Sequence, residues 1–257
     1  MNILQAIILS MVEGVTEFLP ISSTGHLILA SKILGVAQTD FVKSFEIFIQ
    51  LGSIFSVIIL YAKKILDNKK LIRPIIISFV PAGVAGFVLY KFIKGLLIGN
   101  IWITVAALFI GGVILVSFEK LLPKEKHDKS IEKMNAKEAM GIGLYQVFSI
   151  IPGVSRSAAT IIGGQMAGFD KVHAVEFSFL LAIPTILGAT LLDMLKVGFS
   201  YSTNEWMLLL IGFIGAFVTA LIAIKYFIEY IKNHSLKIFG IYRIILALIF
   251  LLLFFSH

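Results

Sequence analysis

The sequence predicts an all-α integral membrane protein, built as an inverted-topology repeat of six transmembrane helices plus two re-entrant helical hairpins. Three observations lead there. The 257 residues are 58% hydrophobic and only 14% charged, with a mean hydropathy of +0.98, far too apolar for an ordinary soluble domain. Six apolar stretches are long enough to span, since a crossing helix needs ~20 residues at ~1.5 Å each. Two further apolar segments are broken by proline and small polar residues, and they resemble one another.

Taken in order, the first broken segment covers 3–19 and 24–34 and is interrupted at Pro20. Its second arm of about a dozen residues reaches only ~18 Å, roughly half the hydrocarbon thickness, so a hairpin fits better than two spans. Spans follow at 41–62, 72–91 and 101–120, and then a Lys-rich linker. The second broken segment covers 136–151 and 155–167, interrupted at Pro152-Gly153, and spans follow at 172–195, 206–226 and 237–255. Gln5-Ala6, Glu13, Ser22-Ser23 and Gly35 run parallel to Glu138-Ala139, Gln146, Ser155-Arg156 and Gly168 at a nearly constant offset. The span after each hairpin opens alike, Lys43-Ser-Phe-Glu46 beside His173-Ala-Val-Glu176. The chain 1–257 therefore reads as a single polytopic membrane domain with repeat halves at about 1–120 and 136–257.

The formal net charge of +7 does not imply nucleic acid, because Lys and Arg sit in short segments between apolar stretches and form no stripe with aromatics. Three segments are rich in them: Lys63, Lys64, Lys69, Lys70 and Arg73; Lys120, Lys124, Lys126, Lys129, Lys133 and Lys137; and Lys225, Lys232 and Lys237. The intervening loops around Lys94 and from Ser200 to Glu205 are poorer. The positive-inside rule places the rich segments in the cytoplasm and both termini outside. The first hairpin then enters from outside and the second from inside, so their polar residues converge near the midplane. The absence of cysteine excludes disulfides and thiolate chemistry. The first apolar stretch lacks a basic leading region and a small-residue cleavage site, and is expected to be retained structure, not a signal peptide.

The chemistry-bearing residues lie in the two interruptions, Glu13-Gly-Val-Thr-Glu17-Phe-Leu-Pro-Ile-Ser-Ser-Thr-Gly-His26 and Pro152-Gly-Val-Ser-Arg-Ser-Ala-Ala-Thr160. Such groups are expensive at membrane depth and mark function by default. Glu13 and Glu17 are i,i+4 on one helix face, where their repulsion calls for compensation, and a divalent cation such as Mg²⁺ or Ca²⁺ is the natural candidate. A solvated or capping pair at the membrane edge is the plainer alternative. Ser22, Ser23 and Thr24 can cap the second arm, with His26 one turn in. Beside Glu17 the same group offers a hydroxyl nucleophile and a base or acid, although a histidine is as commonly a hydrogen-bonded packing residue. Gly153 completes a turn after which Ser155 can start a helix whose free N–H groups favour an anion. Arg156 adds a planar fork for phosphate oxygens, with Ser157 and Thr160 on the same short helix. Pairing of Arg156 with a carboxylate such as Glu176 is the structural alternative. Gln146 stands where the first hairpin has Glu13, so one half keeps the acidic pair and the other the arginine.

These motifs carry a resemblance. The Glu13/Glu17 pair, Ser22-Ser-Thr-Gly-His26 and Pro152-Gly-Val-Ser-Arg-Ser-Ala-Ala-Thr160 resemble the undecaprenyl-pyrophosphate phosphatase family linked to bacitracin resistance, and the similarity covers essentially the whole chain. The resemblance implies a plasma-membrane enzyme that hydrolyses undecaprenyl pyrophosphate to the monophosphate and inorganic phosphate, recycling the lipid carrier of bacterial cell-wall synthesis. It also implies a homodimer. The residues themselves suggest that Arg156 and the helix start at Ser155 hold the pyrophosphate, Glu13 and Glu17 bind the metal, and Ser23 or His26 supplies the nucleophile or proton transfer, with catalysis divided among Glu17, Ser23, His26 and Arg156 in a way the sequence leaves open. Phosphatases of the phosphatidic-acid type differ, because they need a histidine where this chain has Ile162. A transporter or flippase for a phosphorylated lipid is the competing reading, since inverted repeats with broken helices are a transporter signature. The grouping of acidic pair, hydroxyl, imidazole and guanidinium argues for chemistry beyond binding.

Overall fold

Two chain segments fold into the same sequence of elements, as the computed structural model describes for residues 1–89, 100–122, 129–197 and 201–255. In the first, α1 (Ile3–Thr16) and α2 (Ser23–Ile33) form a hairpin followed by α3 (Asp40–Asp67), α4 (Ile72–Val88) and α5 (Ile101–Leu121). In the second, α6 (Ala136–Val147) and α7 (Arg156–Met166) form a hairpin followed by α8 (Lys171–Val197), α9 (Thr203–Asn233) and α10 (Lys237–Phe255). Five of these, α3, α4 with its leading turn, α5, α8 and α9, are long and apolar enough to cross a membrane by length and composition. The sixth expected span is the 19-residue α10. The loop around Lys94, the end of the second expected span at Lys91, linker residues Lys124 and Lys126, and Ser200 lie outside the described residues.

The same local chemistry starts and stops both hairpins. Asn2 caps α1 and Asn135 caps α6, each in a reciprocal capping box with the residue three further on, Gln5 and Glu138. Ser22 caps α2 and Ser155 caps α7, and these are the non-glycine residues with positive φ among those described, +70° and +74°. That backbone region disfavours a Cβ, so both tips hold a matched strain at the point where the chain reverses. Each second arm then ends on a glycine at positive φ, Gly35 or Gly168, inside a Schellman motif: the Gly35 and Val36 amides donate to Lys32 and Ser31, and the Gly168 and Phe169 amides to Gln165 and Gly164.

The halves interlock by exchange. Helix α1 packs on α9 of the second half, as α6 packs on α4 of the first; α3 packs on α9 as well as α8, and α5 lies against α10. Glycines permit the two docking contacts. A Cβ on Gly14 would come 2.4 Å from the Ala216 carbonyl of α9, and one on Gly143 would come 2.4 Å from the Ser78 carbonyl of α4. Close small-residue contact is the usual way helices associate where lipid removes the hydrophobic drive. The main core joins Ile54, Val57 and Tyr61 of α3 to Phe177, Phe179 and Leu181 of α8 and to Ala220, Ile224 and Phe227 of α9. Outward faces stay apolar: Ile76, Val84 and Phe87 on α4 and Leu210, Ile214 and Ile222 on α9 are exposed, a pattern suited to lipid contact.

Candidate active site at the hairpin junction

The exchange brings the two polar interruptions together. Glu17 ends α1 and Ser23 opens α2, and the turn between them lets the Ser23 hydroxyl donate to Glu17 Oε2 at 2.5 Å. From the other hairpin, Arg156 Nη2 reaches Glu17 Oε1 at 3.1 Å, and this pair is 10% and 9% exposed. Arg156 Nη1 donates to the Ser178 carbonyl at 2.8 Å and its hydroxyl at 3.3 Å, while the guanidinium sits over the Phe18 ring with 5.7 Å to the centroid. Arg156 Nε is buried and unpartnered. A hydroxyl, a carboxylate and a guanidinium with a donor to spare therefore meet in one nearly dry cluster.

Other sequence candidates take supporting places. Ser157 donates to the Phe18 carbonyl at 2.7 Å, and Thr160 donates to Ser178 Oγ at 2.7 Å; both are fully buried. Ser22 and Ser155 are engaged as caps, Gly153 has φ of +95°, and Thr24 is exposed beside the site. His26 is bonded elsewhere: Nδ1 lies 2.8 Å from the Ser22 carbonyl and Nε2 2.7 Å from the Tyr242 hydroxyl, with the rings stacked. The carbonyl can only accept, so Nδ1 carries the hydrogen, and in the neutral ring Nε2 accepts from Tyr242. Glu46 accepts from Ser31 and Gln38 and so braces the first hairpin, whereas Glu176 pairs with Lys64 at 2.6 Å and leaves Arg156 to Glu17.

Residues 6–249 match the family described as bacitracin resistance protein BacA. The chain belongs to that family. It is 50% identical to the undecaprenyl-diphosphatase of Aquifex aeolicus (strain VF5) over 96% of each chain. It is 48% identical to the undecaprenyl-diphosphatase of Sulfurihydrogenibium sp. (strain YO3AOP1) over 98% of this chain and 99% of that one. The protein of the same name from Methanococcus aeolicus is 42% identical over 99% of each.

Within this BacA-family chain, Glu13 is the carboxylate to test against a bound cation. It is fully buried, both carboxylate oxygens lack a hydrogen-bond partner, and Glu17, Glu46 and Arg156 are the charged groups near enough to act on it. Among the described residues no group of three or more His, Asp or Glu side chains surrounds one point. Two carboxylates with the rest of the shell supplied by substrate and water oxygens suit Mg²⁺, and the donor set accommodates Ca²⁺. Sequence reasoning missed Ser178, Tyr242 and Arg243. Nothing distinguishes Ser178 in sequence, but Arg243 is a charge inside a span, a signal of function that the apolar length of α10 masks.

Proposed function

We propose that this protein is a membrane phosphatase converting undecaprenyl pyrophosphate to undecaprenyl phosphate and inorganic phosphate, so that the carrier lipid returns to cell-wall synthesis. The printed names of the relatives support the substrate, and the Ser23–Glu17–Arg156 constellation carries the reading. Arg156 holds the terminal phosphoryl group through Nε and Nη2, exchanging Glu17 for phosphate oxygen. Glu17 takes the Ser23 proton as Ser23 Oγ bonds to the terminal phosphorus and the bridging P–O bond breaks. The departing undecaprenyl phosphate keeps the electron pair and receives the proton from Glu17. Water then attacks the phosphoserine and gives a proton to Glu17, which passes it to Ser23 as inorganic phosphate leaves.

A divalent cation held by Glu13 and Glu17 would neutralise pyrophosphate oxygens and draw electron density from phosphorus. His26, tied to Ser22 and Tyr242, supports the start of α2 and stands one turn from Ser23 as a reserve for proton transfer. The finer architecture belongs to the same proposal: six spans and two re-entrant hairpins in inverted repeat, with the site open to the extracytoplasmic side. A flippase needs the binding groups but not a hydroxyl bonded to a carboxylate. Purified protein in detergent is expected to release phosphate from farnesyl or undecaprenyl pyrophosphate. Transport of the intact lipid across proteoliposomes without phosphate release would favour the flippase.

A further inference from the structure

Arg243 lies within α10, is fully buried, and has no part in the chemistry above. All five N–H donors of its guanidinium are spent on backbone carbonyls. Nε donates to Leu108 at 3.4 Å, Nη1 to Pro20 at 3.3 Å and Val154 at 2.9 Å, and Nη2 to Ala107 at 3.1 Å and Gly153 at 2.8 Å. Pro20 stands two residues ahead of the cap Ser22, and Gly153 two ahead of the cap Ser155. One side chain thus grips the equivalent carbonyl of each hairpin tip and ties both to α5.

Packing does not account for this. A buried guanidinium costs far more to desolvate than an apolar side chain of similar volume, and among the described residues no carboxylate lies within ion-pair distance of Arg243. The slot is made for it: a Cβ on Gly111 of α5 would come 2.1 Å from Nη2. Tip carbonyls at strained turns have no helical partner, and leaving them buried and unpaired would loosen both turns. Glu17 precedes the first gripped carbonyl by three residues, and Arg156 follows the last by two.

We infer that Arg243 is a positioning residue for the hydrolysis: a shared backbone clamp that sets the two hairpin tips in register, so that Glu17 and Ser23 of one meet Arg156 of the other. Its kinetic consequence rests on the phosphatase reading; its mechanical consequence does not. A lysine keeps the charge but cannot span both tips, since its three donors radiate from one point.

The test uses the cysteine-free full chain in detergent, with single cysteines spin-labelled at Leu19 or Ile151 near the tips, or at Ile222 on the exposed face of α9 as a control. In Arg243→Lys, kcat is expected to fall about a hundredfold with KM within about threefold of the parent, the signature of misplaced reacting groups. Both tip spectra should show increased mobility while the Ile222 spectrum stays unchanged. Parental kcat, kcat lost with immobile tips, or mobility gained at all three sites would each overturn the clamp. Should Arg243→Lys not be recovered folded, Gly111→Ala displaces the guanidinium while keeping its charge, and the same outcomes decide. If the parent itself releases no phosphate, the phosphatase reading fails and the tip spectra alone judge the clamp.

Discussion

Arg156 and Glu17 are each nearly buried and each bonded across the junction, so removing one partner strands the other in a dry site. Arg156→Lys is expected to lower kcat/KM by about a hundredfold or more, because a point charge cannot stay on Ser178 while presenting two further N–H groups to the phosphoryl oxygens. Near-parental kcat/KM in that variant would reassign Arg156 to structural pairing. Glu13 differs: it is fully buried with no hydrogen-bond donor to either carboxylate oxygen, and the proposed occupant beside it is a divalent cation. Glu13→Gln is expected to raise the Mg²⁺ concentration for half-maximal activity by about tenfold or more. Full activity of the parent in excess chelator would remove the metal from the account. The sequence singles out Glu13, Glu17 and Arg156 because charge in an apolar context is conspicuous, and Ser23 because it lies in the Ser22-Ser23-Thr24 run close to Glu17. It did not disclose Ser178, whose hydroxyl becomes significant only when α8 is laid beside α7.

The hairpin is the element that carries the candidate residues, and its tips are set by two serines at positive φ. Ser155→Ala is expected to cost about 1–2 kcal/mol, since it loses the bond from the Ala158 amide and keeps a Cβ where the backbone disfavours one. Ser155→Gly relieves the backbone and is expected to be nearly neutral in stability. Equal thermal unfolding midpoints for the two variants in detergent would contradict the strained-cap description. The starts of the hairpin arms were legible, since the arms read from 3, 24, 136 and 155 begin within a residue of α1, α2, α6 and α7, with Ser22 and Ser155 marked as caps or helix starts. The capping by Asn2 and Asn135 and the stops at Gly35 and Gly168 were not read. Long helices ran past their expected limits, α3 to Asp67 and α9 to Asn233, because hydropathy marks the apolar window and not the polar turns that continue beyond it. Pairing of one half's hairpin with the other half's second span was not legible, because it depends on close approach at Gly14 and Gly143 and not on any local pattern.

At the scale of the whole molecule, exchange of hairpins between halves brings together two interruptions whose Glu17 and Arg156 are 139 residues apart in sequence, so the Ser23–Glu17–Arg156 cluster draws on both halves. The correspondence that matches the element order of the two segments was readable in the residues; their interlocking and the contacts of α10 with both tips were not. Orientation is tested in the cysteine-free chain by single cysteines at Asn68 and Asn204 and a membrane-impermeant thiol reagent on intact cells. Asn204 should label and Asn68 should not, and the reverse would invert the topology and the side of catalysis. The central claim, that the junction performs hydrolysis and not merely lipid binding, is tested most directly by the rate of inorganic phosphate release from a polyprenyl pyrophosphate, measured for purified parent and Ser23→Ala side by side. The account predicts release by the parent and a loss on the order of a thousandfold or more in Ser23→Ala, with lipid binding retained. Absence of release by folded parent protein with divalent cation present, or undiminished release by Ser23→Ala, would contradict it.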